Sequence, residues 1–235
     1  MQIAIVLYPE FTALDFIGPY EVLRGLPGAQ VRFVWKETGP ITADSGALVV
    51  GATHTFDETP EPDLVLVPGG PGCAAAAGDD DVLTWLRRVS PNSSWTASVC
   101  SGSLVLGAAG LLEGKRATTH WAVLPALGEY GAVPVGDERI VHEGKVVTAA
   151  GVSAGIDLAL WLVGRIAGDA HAELTQLVIE YDPQPPYDSG HTSKASRATM
   201  AAAAALMGSA PLPPERLAAG TRPQWDQAIA EARGH

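Results

Sequence analysis

A chain of 235 residues, 47% hydrophobic and 17% charged, is long enough to bury a full core in one domain and too apolar to stay disordered. Its net charge of -11, with no lysine- or arginine-rich stripe to offset it, repels phosphate backbones and anionic bilayers, so neither nucleic acid nor a membrane surface is expected as a partner. Cys73 and Cys100 alone cannot build a disulfide framework and suit a reducing cytosol.

The chain opens on Gln2-Ile3-Ala4-Ile5-Val6-Leu7, which lacks the basic start and cleavage site of a signal peptide and reads as a first strand from Ile3 to Tyr8. A helix from Leu14 to Leu26, a strand from Val31 to Trp35 and a weaker strand at Leu48 to Val50 follow. Asp63 to Val67 is a buried strand running into Pro68-Gly69-Gly70-Pro71-Gly72. Asp79 to Arg88 reads as a helix with three aspartates at its positive end. Trp95 to Val99 is a strand and Gly102 to Leu111 a helix, with Cys100 at the junction.

A short strand at Arg116 to Thr118 leads to a helix from Trp121 to Glu129. Arg139 to His142 and Lys145 to Thr148 form a hairpin about Glu143-Gly144. Helices are expected from Ser153 to Ile166 and from Ala170 to Ile179. Strands alternating with helices in this way predict an α/β fold with a mainly parallel sheet covered on both faces. Beyond it, Asp182 to Gly190 is irregular, Lys194 to Met207 is an alanine-rich helix, and Pro211-Leu212-Pro213-Pro214 breaks structure again. The expected division is a domain of residues 1–190 and an extension of residues 191–235 packed on the domain or on a second copy. No apolar run is long enough to span a membrane.

Candidate chemistry gathers where strands end. Ser98 and Gly102 flank Cys100 at two residues' distance, the small neighbours a sharp strand-to-helix elbow needs. Such a corner lifts a side chain out of the sheet and, through the helix dipole and free N–H groups, favours a thiolate; a buried cysteine filling space is the bland alternative. Gly69-Gly70 supplies either an N–H that pairs with that of Ser101 as a two-donor oxyanion hole, or merely a loop needing positive φ. Asp15, between Leu14 and Phe16, is either an N-cap or a general acid/base whose pKa an apolar pocket would raise. His120 is the candidate histidine partner of Cys100, or a structural hydrogen bonder. The other histidines lack metal-ligand spacing, Cys73 reads as a spectator, and neither a dinucleotide loop nor a P-loop occurs, so no metal or cofactor is expected. The corner Gly151-Val152-Ser153 lines the pocket or caps a buried helix.

Several stretches carry a resemblance: Pro9-Glu10 with Leu14-Asp15 and Gly18-Pro19, Trp35 to Pro40, Val67-Pro68-Gly69-Gly70, Ser98 to Leu112, Gly114 to Trp121, and Ala154 to Asp157. On these the chain resembles the DJ-1/PfpI superfamily, and within it the branch that hydrates isocyanides. The resemblance covers roughly residues 1–190. It implies a flavodoxin-like three-layer sandwich, a homodimer, Cys100 as nucleophile and Asp15 as the acid beside it. Ser101 falls where that branch typically has threonine, keeping the hydroxyl and dropping a methyl. Many other relatives carry histidine there, so Ser101 argues against protease-like or deglycase-like assignments.

The implied reaction takes a small-molecule isocyanide to an N-formamide. Cys100 adds to the terminal carbon to give a thioimidate, Asp15 handles the protons, and Gly69, Gly70, His120, Gly151 and Val152 line the pocket. A thiolate enzyme acting on glyoxals and a dimeric redox sensor with an oxidisable Cys100 are the alternatives. Some regulators append a helix-turn-helix module to this domain; none is expected in 235 residues lacking a basic recognition helix.

Overall fold

The computed structural model describes residues 1–207 and Arg233. The main sheet is built from β1 (Gln2–Val6), β2 (Gln30–Trp35), β5 (His54–Thr55), β6 (Leu64–Val67), β7 (Trp95–Val99), β10 (Ile140–Glu143) and β11 (Val146–Ala149). Their order is β10-β11-β7-β6-β1-β2-β5, and every pairing is parallel except the β10/β11 hairpin. β3 (Gly39–Thr42) and β4 (Val49–Ala52) form a separate antiparallel pair, and β8 (Arg116–Ala117) and β9 (Val133–Pro134) a small parallel one. The helices are α1 (Ala13–Leu23), α2 (Cys73–Ala77), α3 (Asp80–Val89), α4 (Gly102–Ala108), α5 (Ala154–Ala167), α6 (Asp169–Val178) and α7 (Arg197–Met207).

The central strands are apolar runs because both faces of the sheet are covered, by α1 and α5 on one side and by the α2–α4 layer on the other. Ile3, Ile5, Leu64, Leu66, Val99 and Val147 are fully buried between these layers. Burying a side chain of that kind stabilises by about 1.5–3 kcal/mol, so the sheet centre is the rigid frame on which the loops are hung. The three-layer α/β architecture expected from the alternation of elements is therefore observed.

Departures from the sequence reading have local causes. The segment Trp121–Tyr130 is a 3₁₀ helix rather than an α-helix; Pro125 inside it removes a backbone donor, and Gly131 ends it at φ 73°. The helix after Cys100 stops at Ala108, three residues early, where Gly110 takes a left-handed φ of 78°. Asp79 caps α3 from outside, accepting from the N–H groups of Asp81 and Val82. β3, β5, β9 and α2 had no sequence signal, being at most five residues long. Pro211 to Pro214 lies outside the described residues. Among the described residues no helix is long and apolar enough to cross a membrane.

Candidate active site

The loops after β1, β6, β7 and β11 meet at the carboxyl edge of the parallel sheet, where open α/β folds bind ligands. Cys100 stands at the centre with φ 55°, a left-handed conformation costly for any residue with a Cβ. Its backbone is clamped from both ends. The Cys100 N–H donates to the carbonyls of Ala149 at 3.1 Å and Ala150 at 3.3 Å. The Cys100 carbonyl accepts from the hydroxyls of Thr119 at 2.8 Å and Ser103 at 3.2 Å. Four bonds offset the strain and aim Sγ away from the sheet.

Gly102 is required by contact. A Cβ there would lie 2.2 Å from the Val67 carbonyl oxygen and 2.6 Å from that of Pro68, so the elbow can pack on the end of β6 only without a side chain. Tyr8, which the sequence marked only as the end of the first strand, fixes the same turn by donating its buried hydroxyl to the Pro68 carbonyl at 2.6 Å.

Asp15 lies in the first turn of α1, fully buried, and is not the N-cap; Thr12 occupies that place. Its Oδ2 accepts from the Gly69 N–H at 3.0 Å, and the Cys100 thiol hydrogen-bonds the same carboxyl. Its Oδ1 meets no nitrogen or oxygen donor. A Cβ on Gly69 would approach Ser101 N, Cys100 Cβ and Asp15 Oδ2 to 2.6, 2.7 and 2.8 Å, which shows how closely the three parts converge.

Burial pushes the Asp15 carboxyl up to about 7, against the downward pull of its bonds to Cys100 and Gly69. The Cys100 thiol is also pushed far up, first by burial and then by the Asp15 charge. The Ser101 N–H and hydroxyl pull the other way and are outweighed. The elbow therefore does not by itself yield a thiolate, as the sequence had suggested: the helix it opens has only seven residues, and the sulfur is buried. Above about 7 Asp15 and Cys100 instead keep one proton between them, held on the sulfur, and below it the carboxyl is protonated as well.

The expected pair of free oxyanion donors is not formed. The Gly70 N–H donates to Ser101 Oγ at 3.0 Å, the Gly69 N–H is taken by Asp15, and the Ser101 N–H serves the Cys100 sulfur. These glycines orient side chains rather than face an empty site, although Gly70 does adopt φ 137°. Ser101→Ala is expected to leave the buried Gly70 N–H unpaired and to cost about 1–3 kcal/mol in denaturant unfolding, whereas Ser101→Thr keeps the hydroxyl and is expected to lose less.

His120 is not hydrogen-bonded to Cys100. Its Nδ1 accepts from the Ala122 N–H at 3.3 Å, capping the 3₁₀ segment, and burial lowers its pKa so that it stays neutral. It borders the site through ring carbon: a Cβ on Gly151 would lie 2.2 Å from His120 Cδ2 and 3.2 Å from Cys100 Sγ. Gly151 and Val152 thus stand directly before α5, with Gly151 against the sulfur. Cys73, read as a spectator, is buried beside Ser101, whose hydroxyl donates to the Gly70 carbonyl at 3.3 Å. Among the described residues no three His, Cys, Asp or Glu side chains gather where a metal ion could be held.

A cysteine on a strained elbow, a buried carboxyl from the first turn of α1 and a glycine turn between them define a thiol–carboxyl centre on a parallel α/β sheet. The chain belongs to the DJ-1/PfpI family, whose model matches residues 1–165.

Within that family it is 46% identical over 200 residues to the isonitrile hydratase of Pseudomonas putida, covering 85% of this chain and 87% of that one. It is 31% identical over 169 residues to the HTH-type transcriptional regulator CdhR of Pseudomonas aeruginosa, covering 69% of this chain and only 50% of the regulator. Among solved structures, a ThiJ/PfpI family protein from Pseudomonas syringae superposes with a TM-score of 0.84 at 34% identity, covering 100% of this chain and 90% of the other. Drosophila melanogaster DJ-1beta shares the fold, with a TM-score of 0.68 at 23% identity over 76% of this chain and 97% of its own.

Proposed function

We propose that this protein is an isonitrile hydratase: it adds water to an isocyanide to give an N-formamide, with Cys100 as nucleophile and Asp15 as general acid/base. The observation that carries the reading is the buried Asp15 carboxyl bonded at once to the Cys100 thiol and the Gly69 N–H. The relative bearing that name in Pseudomonas putida supports the substrate class.

The starting state holds one proton on the pair. As the Cys100 sulfur attacks the terminal carbon of R–N≡C, its proton passes to Asp15 and from Asp15 Oδ1, which has no competing donor, to that carbon. The product of this half is the thioimidate Cys100–S–CH=N–R. Water then adds to the thioimidate carbon while Asp15 takes one of its protons. Return of that proton to nitrogen, and departure of Cys100 as thiol, release R–NH–CHO. Every proton is accounted for by the thiol, the carboxyl and one water, and Ser101 holds the Gly70 edge of the site throughout.

The same reading includes a homodimer in the cytoplasm, with residues 1–190 as the domain and 191–235 as an extension. The exposed row of Leu174, Leu177 and Val178 on α6 is apolar surface that a second copy would cover. A redox-sensing role fits less well, because sensor cysteines are accessible and of low pKa, whereas Cys100 is 7% exposed and pushed up.

Because the attacking state needs Asp15 ionised and Cys100 protonated, kcat/KM is expected to rise about tenfold per pH unit below about 7 and to level off above it. Formamide release from an aryl isocyanide across pH 5 to 9, corrected for acid hydrolysis, checks this. A rate that falls with rising pH through that window would contradict the assignment of Asp15.

A further inference from the structure

A cavity of about 370 Å³ opens beside the site on the side away from Asp15, and the mechanism above makes no use of it. That volume is in the range of small-molecule pockets. Its inner end is formed by Thr119, Ala150 and Gly151. Thr119 bonds the Cys100 carbonyl, and a Cβ on Gly151 would lie 3.2 Å from Cys100 Sγ, so the inner end of the cavity abuts the elbow that carries the sulfur. One wall carries Trp121 and Leu124 of the 3₁₀ segment. The opposite wall is the irregular stretch after α6, which contributes Pro185, Tyr187 and Thr192.

Charged residues at the rim are largely paired, with one another or with residues just outside it. Glu138 pairs with Arg116, Arg139 with Asp157, and Lys194 with Asp188 at 2.6 Å. Asp137, on the exposed turn, faces the mouth. Beside these the lining combines Trp121, Leu124, Pro185 and Tyr187 with the hydroxyls of Thr118, Thr119 and Thr192 and the His191 ring, a mixed surface suited to an uncharged group. Tyr187 itself is 83% exposed, an aromatic ring at the edge of a pocket that none of the described residues covers. The stretch is held at its start, where the Tyr181 hydroxyl donates to Asp157 Oδ1 at 3.0 Å and Gln176 donates to the Tyr181 carbonyl at 3.0 Å. Asp157 belongs to α5, which follows Gly151 and Val152, so the outer wall is tethered to the helix behind the sulfur.

We propose that this cavity is the specificity pocket for the substituent of the isocyanide, with Tyr187 of the segment 182–194 closing over an uncharged aryl or branched-alkyl group whose terminal carbon meets Cys100. The proposal rests on the hydratase reading for its substrate. The pocket itself does not depend on that reading. A small isocyanide leaves the cavity unfilled and gains nothing from Tyr187, whereas a cyclohexyl or aryl isocyanide buries the ring.

The test compares full-length wild type, Tyr187→Ala and Tyr187→Phe on cyclohexyl isocyanide and methyl isocyanide. The ratio of the two kcat/KM values is expected to fall about tenfold in Tyr187→Ala and to recover in Tyr187→Phe, because the ring rather than the hydroxyl is used. An unchanged ratio overturns the proposal, as does a shift in sedimentation with the ratio unchanged, which would assign Tyr187 to contact between copies.

Alkylation of Cys100, read by peptide mass spectrometry, separates the pocket from the reaction. N-benzyl chloroacetamide is expected to outpace chloroacetamide in wild type, and the preference is expected to drop in Tyr187→Ala. If no isocyanide is turned over yet this preference appears and depends on Tyr187, the hydratase reading fails and the pocket stands. If isocyanides are turned over and neither ratio responds to Tyr187, the pocket fails alone.

Discussion

Replacing Asp15 by asparagine is expected to lower kcat for isocyanide hydration about 10³-fold while leaving the fold intact. Asparagine keeps an oxygen to accept the Gly69 N–H bond, but it can neither take the thiol proton nor return it to carbon, and loss of a positioned general acid/base typically costs 10²- to 10⁴-fold. A second readout follows from the raised carboxyl, which stands at about 7 against an ordinary 3.8. Below the ordinary value, folded and unfolded chains both carry the proton. Between the two values the unfolded chain releases a proton that the folded chain retains, so the wild type loses up to about 1.4 kcal/mol of stability for each unit of rising pH. Above about 7 the loss is complete. Asparagine does not titrate, so denaturant unfolding of the variant relative to wild type is expected to improve steadily from pH 4 to pH 7. A constant difference across that range would place Asp15 outside the buried, proton-holding role.

The largest loss of stability is expected from Gly102→Ala. The new methyl would overlap the carbonyl oxygens of Val67 and Pro68, and backbone on both sides of the elbow would have to separate. Overpacking of this kind costs about 3 kcal/mol, or roughly 6–12 °C in Tm for a chain of this size. Gly110→Ala is the useful contrast. Its φ is 78°, yet a Cβ there meets nothing within 4 Å, so it carries only the left-handed penalty of about 1 kcal/mol. Thermal melts of the two variants side by side distinguish a steric elbow from a merely glycine-rich region. Equal losses would mean that close approach to β6 does not set the position of Cys100.

Much of the fold was legible because the central strands are continuous apolar runs, and Leu64 to Val67 or Trp95 to Val99 leaves little choice of structure. Cys100 and Asp15 stood out as polar residues at strand ends among apolar neighbours. What the sequence could not disclose was how the backbone donors are shared. Whether the Gly69 and Gly70 N–H groups are free or taken depends on the positions of Asp15 and the Ser101 hydroxyl, which come from segments 54 and 31 residues away. The state of the Cys100 proton was hidden for the same reason. A helix N-terminus argues for a thiolate, and only the depth of burial shows that the sulfur keeps its proton. His120 stayed open between two roles because a histidine at a strand–helix junction looks the same whether it serves a thiol or, as here, caps the next turn. Tyr8 and Thr119, which hold the elbow from outside, carry no local signal beyond a hydroxyl at the end of an element.

The central claim is that the Cys100 sulfur forms a covalent thioimidate with an isocyanide and releases it as formamide. The most direct measurement is intact-protein mass spectrometry, with peptide mapping, of wild type and Cys100→Ser quenched during turnover of an aryl isocyanide. The account predicts wild type heavier by one substrate molecule at Cys100, a signal that decays as N-formamide appears. Cys100→Ser should show neither adduct nor product above background. Formamide produced at wild-type rate by Cys100→Ser, or an adduct that maps elsewhere than Cys100, would contradict it.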